Sequence, residues 1–400
     1  MTKTSPDQFP IMTAPNPPLR SWLRSNNVVL TSYGRTALYL ALMAIGVRKK
    51  EVLIPAFTCA TSLPPAILQA GGVPVFVDIS TDTINMDTTR LGERLSSSSR
   101  VIISHHYYGS AASNLEDVQR FAAENRLIHI EDCTHSLGAR CGRNGVGDIG
   151  DIAVFSFSKL LSCPGGGAVS YKDSSLFQRA LEIQRGCANP FHHFVTDTEA
   201  LRYESELLED RPGSLRIEGE VRRSSLSGFV RRLLIKALCD CGAYRRGFAR
   251  AMSPADVGMF RPGVDTRMTR LQESRIVRKM AFLDEVIRER RRKALILDEI
   301  IPAYFRDFES NVLMQYVTRH SKAEDLAHYL RGHGIRIRRV WSYSQKCWPD
   351  QLTEEVKALR DELLLIDLDS VTEEALAILR RGAENIVSTV SPSDRRRVSA

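Results

Sequence analysis

The stretch DIAVFSFSKLLSCPGGGAV, residues 151–169, decides how the rest of the chain is read. Asp151 to Phe157 is a near-continuous apolar run of strand length, the pattern of a strand buried on both faces of a parallel sheet. It runs straight into Lys159 and then into Gly165, Gly166 and Gly167. A lysine at a strand tip loses hydration unless it is solvated, paired or covalently used. Two readings stand side by side: an ordinary surface lysine just past a strand end, or a lysine delivered there for chemistry.

Working outward, the same rhythm repeats. EVLIPAF (51–57), VPVFVDI (73–79), RVIISHH (100–106) and RLIHIED (126–132) are further short, branched-rich runs. Helix candidates lie between them: TALYLALMAI (36–45), SLPPAILQAG (62–71) and NLEDVQRFAAEN (114–125). Strand and helix in alternation predict an α/β fold with a mostly parallel central sheet sandwiched by helices. Ligands of such sheets bind at the carboxyl ends of the strands, where His106, Asp132 and Lys159 all fall. A chain of 400 residues exceeds what one core usually holds, so a second domain is expected. The expected division is an N-terminal extension (1–27), a large domain (28–262), a smaller C-terminal α/β domain (263–390) and a disordered tail (391–400). The small domain opens with what reads as one long charged helix over 267–299, followed by strands at NVLMQYVT, IRIRRVW and LLLIDL and a last helix over 372–388.

The large domain carries a stretch, about 188–260, in which the strand rhythm is lost and basic, helical character replaces it. It reads as a helix packed on the main body with a solvated basic face, or as a docking surface for an acidic carrier protein or a membrane. The net charge of +8 is spread over a long chain, and no nucleic-acid motif accompanies it. Eight scattered cysteines without a CxxC pair suggest a reducing compartment and no zinc site. His192 and His193 have no cysteine or acid at ligand spacing, so no metal is expected there. The first residues are polar and proline-rich, and Val28 to Val47 is interrupted by Ser32, Gly34, Arg35 and Thr36. A cytoplasmic protein is expected.

Three features then fall into order. SYGRTALYLAL (32–42) is a glycine turn with hydroxyls that opens an apolar helix, a pattern suited to a phosphate or equally to an ordinary N-cap. Asp132 follows the apolar run LIHI, and Lys159 follows the strand at 151–157. A phosphate cradle, a strand-end acid and a strand-end lysine are the parts pyridoxal 5'-phosphate requires. Lysine forms a Schiff base with the aldehyde, and the acid keeps the pyridine nitrogen protonated so that the ring can draw electrons. Glycines after the lysine would let the backbone pass close to the cofactor.

The blocks GRTALYLAL, EVLIPAFTCAT, AGGVPVFVDI, HYYGSAASN, IEDCTHSLGA, GDIGDIAVFSFSK and PGGGAV, with GVDTRMTRLQ beyond the insertion, resemble the DegT/StrS-type sugar aminotransferases, a group of fold-type I pyridoxal-phosphate enzymes. The resemblance covers about residues 28–175 and 263–385. It implies that Lys159 holds the cofactor and shuttles the proton, that Asp132 pairs with the pyridine nitrogen, and that His135 stands against the ring's 3-oxygen. Gly34, Arg35, Thr36 and Ser156 would lie around the phosphate. It also implies a homodimer with shared active sites, an amino donor such as glutamate, and a keto or aldehyde acceptor of the nucleotide-sugar kind.

Departures from the family pattern are specific. Ser156 and Lys159 have two residues between them where the family usually has four, so Ser158 is a candidate for the phosphate beside Ser156. Cys59 stands at the position of the ring-stacking aromatic, which leaves stacking to Phe57 or Tyr107. Asp265 replaces the Asn that a partner subunit supplies to the phosphate, and Gly165 replaces a Glu. His106 and Tyr107 are candidate substrate contacts; Arg267 is expected to form a helix-start salt bridge. Retention of Lys159 favours transamination over the family's dehydratase variants, which replace that lysine; dehydration, decarboxylation or oxidation at the same imine is the alternative outcome, and intact Asp132 and Lys159 argue against a non-catalytic regulator.

Overall fold

The apolar runs become one seven-stranded sheet because each is long enough for a strand and is flanked by turn residues. A computed structural model of the protein describes residues 19, 22–23, 25–59, 62–161, 163, 165–186, 267–340 and 353–381. The basic stretch at 188–260, His192, His193, Asp265, Cys187, Cys239, Cys241, Cys347 and the tail over 391–400 lie outside the described residues.

The strands are β1 (Val28–Thr31), β2 (Glu51–Pro55), β3 (Val73–Val77), β4 (Ser99–His105), β5 (Ile128–Asp132), the short pair β6 (Arg140–Cys141) and β7 (Asn144–Gly145), β8 (Ile152–Ser156) and β9 (Gly167–Tyr171). The main sheet has the order β1-β9-β8-β5-β4-β2-β3. β3, β2, β4, β5 and β8 are parallel, while β9 runs antiparallel between β8 and β1. The helices of this half are α1 (Gly34–Ile45), α2 (Leu63–Gln69), α3 (Leu91–Arg94), α4 (Leu115–Glu124), the single turn α5 (Phe157–Leu160) and α6 (Ser174–Gly186).

Alternation along the strands sorts the side chains to two faces. Val52, Ile54, Val101 and Ile103 pack with α1, α2 and α6, whereas Leu53 and Ile102 pack with Val118 and Ala122 of α4. A third cluster closes that second face near β1, β8 and β9. It joins Leu19 and Leu23 from the N-terminal segment to Phe155, Ala168 and Ile276. Leu19 and Leu23 are therefore core residues although they precede the first strand.

The long charged helix read from 267–299 is two helices, α7 (Arg270–Met280) and α8 (Leu283–Asp298). Thr269 and Gln272 form a capping box at the start of α7. The break at Ala281–Phe282 lets one chain serve two cores. Ile276, Met280, Leu283 and Ile287 pack under the main sheet, and Ala294 and Leu297 pack in the second unit.

That second unit is a three-stranded antiparallel sheet of order β10-β12-β11, with β10 (Tyr316–Arg319), β11 (Ile337–Arg339) and β12 (Leu363–Ile366). It carries α9 (Ala323–Gly332), α10 (Glu354–Glu362) and α11 (Glu373–Arg381). The strand expected from Asn311 begins only at Tyr316, because the backbone before it is engaged elsewhere. Val312 N–H donates to Gly109 O at 3.0 Å and Gln315 N–H to Tyr108 O at 3.2 Å. A Cβ on Gly109 would sit 2.6 Å from the Leu313 and Met314 nitrogens, and its φ of +108° is one glycine tolerates. The Tyr107-Tyr108-Gly109 turn is thus the clasp between the two units. Phe57, Tyr107 and Tyr108 pack there with Val340, Val356, Leu359 and Leu365. Among the described residues no helix is long and apolar enough to cross a membrane.

Candidate active site

β5 ends in two acids, and alternation sends Glu131 and Asp132 to opposite sides of the sheet. The neighbouring β4 ends in His105, in register with Asp132, and His106 follows just past the strand. The result is two buried acid–histidine pairs.

Glu131 is fully enclosed. Its Oε2 accepts from His106 at 3.0 Å and from Gly147 N–H at 2.8 Å, and its Oε1 accepts from Ile149 N–H at 2.8 Å and from Gly150 N–H. Burial pushes this carboxyl up, but the bonds from His106, Gly150 and Gly147 outweigh it and hold it at about 2. Ala112 N–H donates to His106 Nδ1 at 3.0 Å, so Nε2 carries the proton that reaches Glu131. His106 therefore belongs to a closed structural network. It is not available to a substrate, contrary to the expectation from its strand-end position. The ligand atoms of His106, Glu131 and Cys133 lie close enough to suggest a metal cluster. The hydrogen bonds already made by both Glu131 oxygens and both His106 nitrogens account for that proximity.

Asp132 is held differently. Its Oδ2 lies 2.9 Å from His105 Nδ1 and its Oδ1 accepts from Thr134 N–H at 3.1 Å. Burial works against its charge, yet His105, Thr134 and His135 together keep the carboxyl well below the usual range, hence ionised. His135 is buried with its ring edge-on to His105 at 5.0 Å and stacked on Tyr108 at 5.5 Å. Burial pushes His135 well below its ordinary value; the charges of His105 and Lys159 push the same way, and Asp132 opposes them. Asp132 and Lys159, 27 residues apart in sequence, thus act on one imidazole.

Lys159 sits on α5, one turn after β8, and is exposed in the single chain. Ser156 ends β8 and is buried, and its Oγ lies 3.1 Å from Ser158 Oγ. A Cβ on Gly34 would come within 2.8 Å of Ser156 Cβ, so the start of α1 is pressed against this serine. No side chain caps α1, and Thr36 is buried in its first turn while Arg35 stacks over the Tyr33 ring. The start of a twelve-residue helix, two serine hydroxyls and a threonine are therefore brought together.

Other expectations are corrected by the packing. The three glycines after Lys159 lie close against protein. Cβ atoms would meet Gln272 and Ser32 at Gly165, Ile276 at Gly166, and the Tyr33 backbone at 2.5 Å at Gly167. Gly167 opens β9, the antiparallel strand beside β8, which the glycine run concealed in the sequence. Tyr107 is 1% exposed and its hydroxyl donates to the Phe57 carbonyl; Phe57 is itself fully buried in the clasp. Tyr107 presents no hydroxyl to a substrate, and neither ring is left as a stacking face, while Cys59 is half-buried at the end of the β2 loop. Arg267 joins Thr31 through a backbone bridge, and Thr269 caps the helix that follows. A cleft of about 330 Å³ between the two units is lined by Tyr107, Arg140, Tyr304 and Arg306 among others; Asp132, His135 and Lys159 are not in it.

Sequence reasoning missed His105 and Glu131. The signal was present as two doublets, HH at 105–106 and ED at 131–132, closing neighbouring parallel strands. Comparison with known proteins bears on the same region: residues 17–206 match the model of the DegT/DnrJ/EryC1/StrS aminotransferase family. This stretch is similar to that family. A GDP-perosamine synthase of Escherichia coli O157:H7 is 33% identical over 156 residues, 38% of this chain and 42% of its own length. A UDP-N-acetyl-3-dehydro-alpha-D-glucosamine 3-aminotransferase of Acidithiobacillus ferrooxidans is 34% identical over 190 residues, 46% of this chain and 50% of its own. The chain thus spans about half the length of these curated relatives. Likeness of fold extends further. A DegT DnrJ EryC1 StrS aminotransferase from Brucella abortus has a TM-score of 0.65 at 19% identity, covering 92% of this chain and 87% of that one. The Bacillus subtilis ntda structure with bound cofactor PMP has a TM-score of 0.62 at 17% identity, covering 94% and 78%. The architecture is that of the family's aminotransferases, a mostly parallel sheet flanked by helices with a smaller α/β unit.

Proposed function

We propose that the chain is a pyridoxal 5'-phosphate-dependent aminotransferase, moving an amino group from an amino acid such as glutamate to a keto acceptor of the nucleotide-sugar class. The observation that carries this reading is a buried Asp132 held by His105 and Thr134 at the end of β5, with the start of α1 pressed against Ser156 and Lys159 following on α5. The residues present fit the cofactor on independent grounds. An uncapped helix start is pressed against Ser156, whose hydroxyl pairs with Ser158, and beside Asp132 the buried His105 Nε2 has no partner among the described residues.

When bound, the cofactor supplies an aldehyde that takes up an amino group and a ring that draws electrons from the adjacent carbon. Lys159 Nζ would hold that aldehyde and serve as the group that moves a proton. Asp132, anionic and buried, would keep a proton on the ring nitrogen. His135 would hold the 3-oxygen. The first-turn N–H groups of α1 at Gly34, Arg35 and Thr36, with the Ser156 and Ser158 hydroxyls, would bind the phosphate. Having two serines in one hydrogen-bonded pair compensates for the shortened spacing before Lys159.

The acceptor class is supported by relatives whose names are those of sugar-nucleotide enzymes. A homodimer is proposed to cover the exposed side of Lys159, in a reducing, cytoplasmic setting that suits Cys59, Cys133, Cys141 and Cys163, none of them in a disulfide. The basic stretch at 188–260 is either a helix packed on the main body or a docking surface: deleting residues 196–255 leaves cofactor uptake intact in the docking case and loses folding in the other. The deciding experiment is spectroscopic. Purified protein takes up pyridoxal phosphate with a visible band, Lys159→Ala loses the covalent linkage, and adding glutamate converts the bound aldehyde to the amine. A protein that cannot be loaded overturns the proposal. One that loads but never responds to any amino donor overturns the transamination.

A further inference from the structure

The two acid–histidine pairs differ in one respect that the proposed function does not use. His106 has both ring nitrogens engaged, whereas His105 has only one. Nδ1 of His105 lies 2.9 Å from Asp132 Oδ2, with both side chains under 5% exposed. An ionised carboxylate only accepts, so Nδ1 is the donor. His105 Nε2 is left buried with no partner among the described residues. A histidine kept purely for packing rarely retains such an atom, since an unmade bond in the interior is costly. It is tolerated here in exchange for the bond on the other nitrogen.

Two supports fix the plane of the Asp132 carboxylate. One is the backbone N–H of Thr134, just past β5, and the other is the His105 side chain from β4. Without the second, a buried charge retains one neutral donor and can turn about its χ2. His105 is itself wedged between Tyr107, at 4.3 Å between centroids, and His135, at 5.0 Å. Its ring therefore has little freedom to follow a shifted acid.

We propose that His105 is a positioning residue: its Nδ1–H fixes the orientation of Asp132 and, through it, the affinity of the site for pyridoxal phosphate. This rests on the reading that gives Asp132 the ring nitrogen. The test titrates cofactor-free protein with pyridoxal phosphate and records both the dissociation constant and the position of the bound-cofactor absorption band. His105→Leu is expected to weaken binding by about tenfold or more, the scale of a lost charge-assisted hydrogen bond, and to displace the band. His105→Asn keeps a donor nitrogen close to the place of Nδ1 and is expected to return to within about threefold of the parent. In an Asp132→Asn background, His105→Leu adds less than about twofold, because its effect runs through the carboxylate. Should His105→Leu fail to fold, His105→Gln, whose amide overlies Nε2 instead of Nδ1, takes its place with the same expected loss. Equal affinity and band position in parent and Leu variant overturn the inference, as does a full effect in the Asp132→Asn background or a failure of Asn to recover. In those cases the parent still binds cofactor and the proposed function stands. A parent that binds none overturns both.

Discussion

Glu131 and Asp132 are adjacent residues with opposite environments. Glu131 faces a shell complete to the last lone pair: three backbone N–H groups from Gly147, Ile149 and Gly150, and His106 locked in turn by Ala112. Asp132 has one histidine and one N–H, beside a second histidine on which Lys159 also acts. Both carboxyls are ionised and buried. What separates them is satisfaction: the first pair has nothing left to bind, while the second leaves His105 Nε2 unpartnered. A saturated buried network holds a fold together, and an unsaturated one beside it is where a ligand can gain from binding.

The largest effect expected on the unsaturated side is from Lys159→Ala. Transfer between glutamate and a keto acceptor falls by about 10²–10⁴-fold, the range of a lost proton-transferring group. The thermal midpoint holds, because Lys159 is exposed. On the saturated side the opposite holds. Glu131→Ala leaves His106 and three N–H groups without their acceptor and costs about 3–5 kcal/mol of unfolding free energy, as for any buried pair broken on one side. Thermal melts of the two variants, measured beside their turnover, break the contrast if Lys159→Ala melts early or if Glu131→Ala keeps its stability.

Which parts of this were legible in the sequence follows from the range of the forces involved. The five parallel strands and the α1 start were readable because strand-length apolar runs and a glycine before a helix are local signals. β9 was hidden because its glycines serve the Ser32–Gly34 turn, a contact more than a hundred residues away in sequence. Lys159 and Asp132 were found by placement at strand ends. His106 was misjudged for the same reason, since strand-end position does not say which way a side chain points. The alternation of HH against ED carries that information once β4 and β5 are known to be neighbours. Tyr107 was misread because the clasp it fills comes from residues near 313 and 340, and pairing at that distance leaves no periodic trace.

Acid titration of stability tests the saturated side without any mutation. His129 is buried, with Nε2 2.7 Å from Ser104 Oγ and Nδ1 2.7 Å from Gln119 Oε1, and burial lowers it from 6.5 to about 4. The unfolded chain therefore binds this proton first, and stability falls as pH drops from 6.5 to 4, by up to about 3 kcal/mol. Glu131, lowered from 4.5 to about 2, adds a second loss as pH falls through that lower window, since its stabilisation is complete only above 4.5. Denaturant melts at half-unit steps should show both limbs. His129→Gln flattens the upper limb alone, and Glu131→Gln makes the lower limb shallower, since the depressed Asp132 also loses its stabilisation there. A lower limb unchanged by Glu131→Gln would assign the whole acid loss to Asp132 and erase the contrast between the pairs.

The smallest expected effect is at the clasp. Tyr107→Phe removes one hydroxyl and leaves the Phe57 carbonyl without that donor, at about 1 kcal/mol of stability. The KM for acceptor and for glutamate is expected to stay within about twofold, because the hydroxyl lies between β2 and β4 loops and not at Lys159. A KM raised tenfold at unchanged stability would return Tyr107 to the substrate and move the site toward the cleft that it lines. Stability lost with KM intact places the clasp where the packing has it, between the two units.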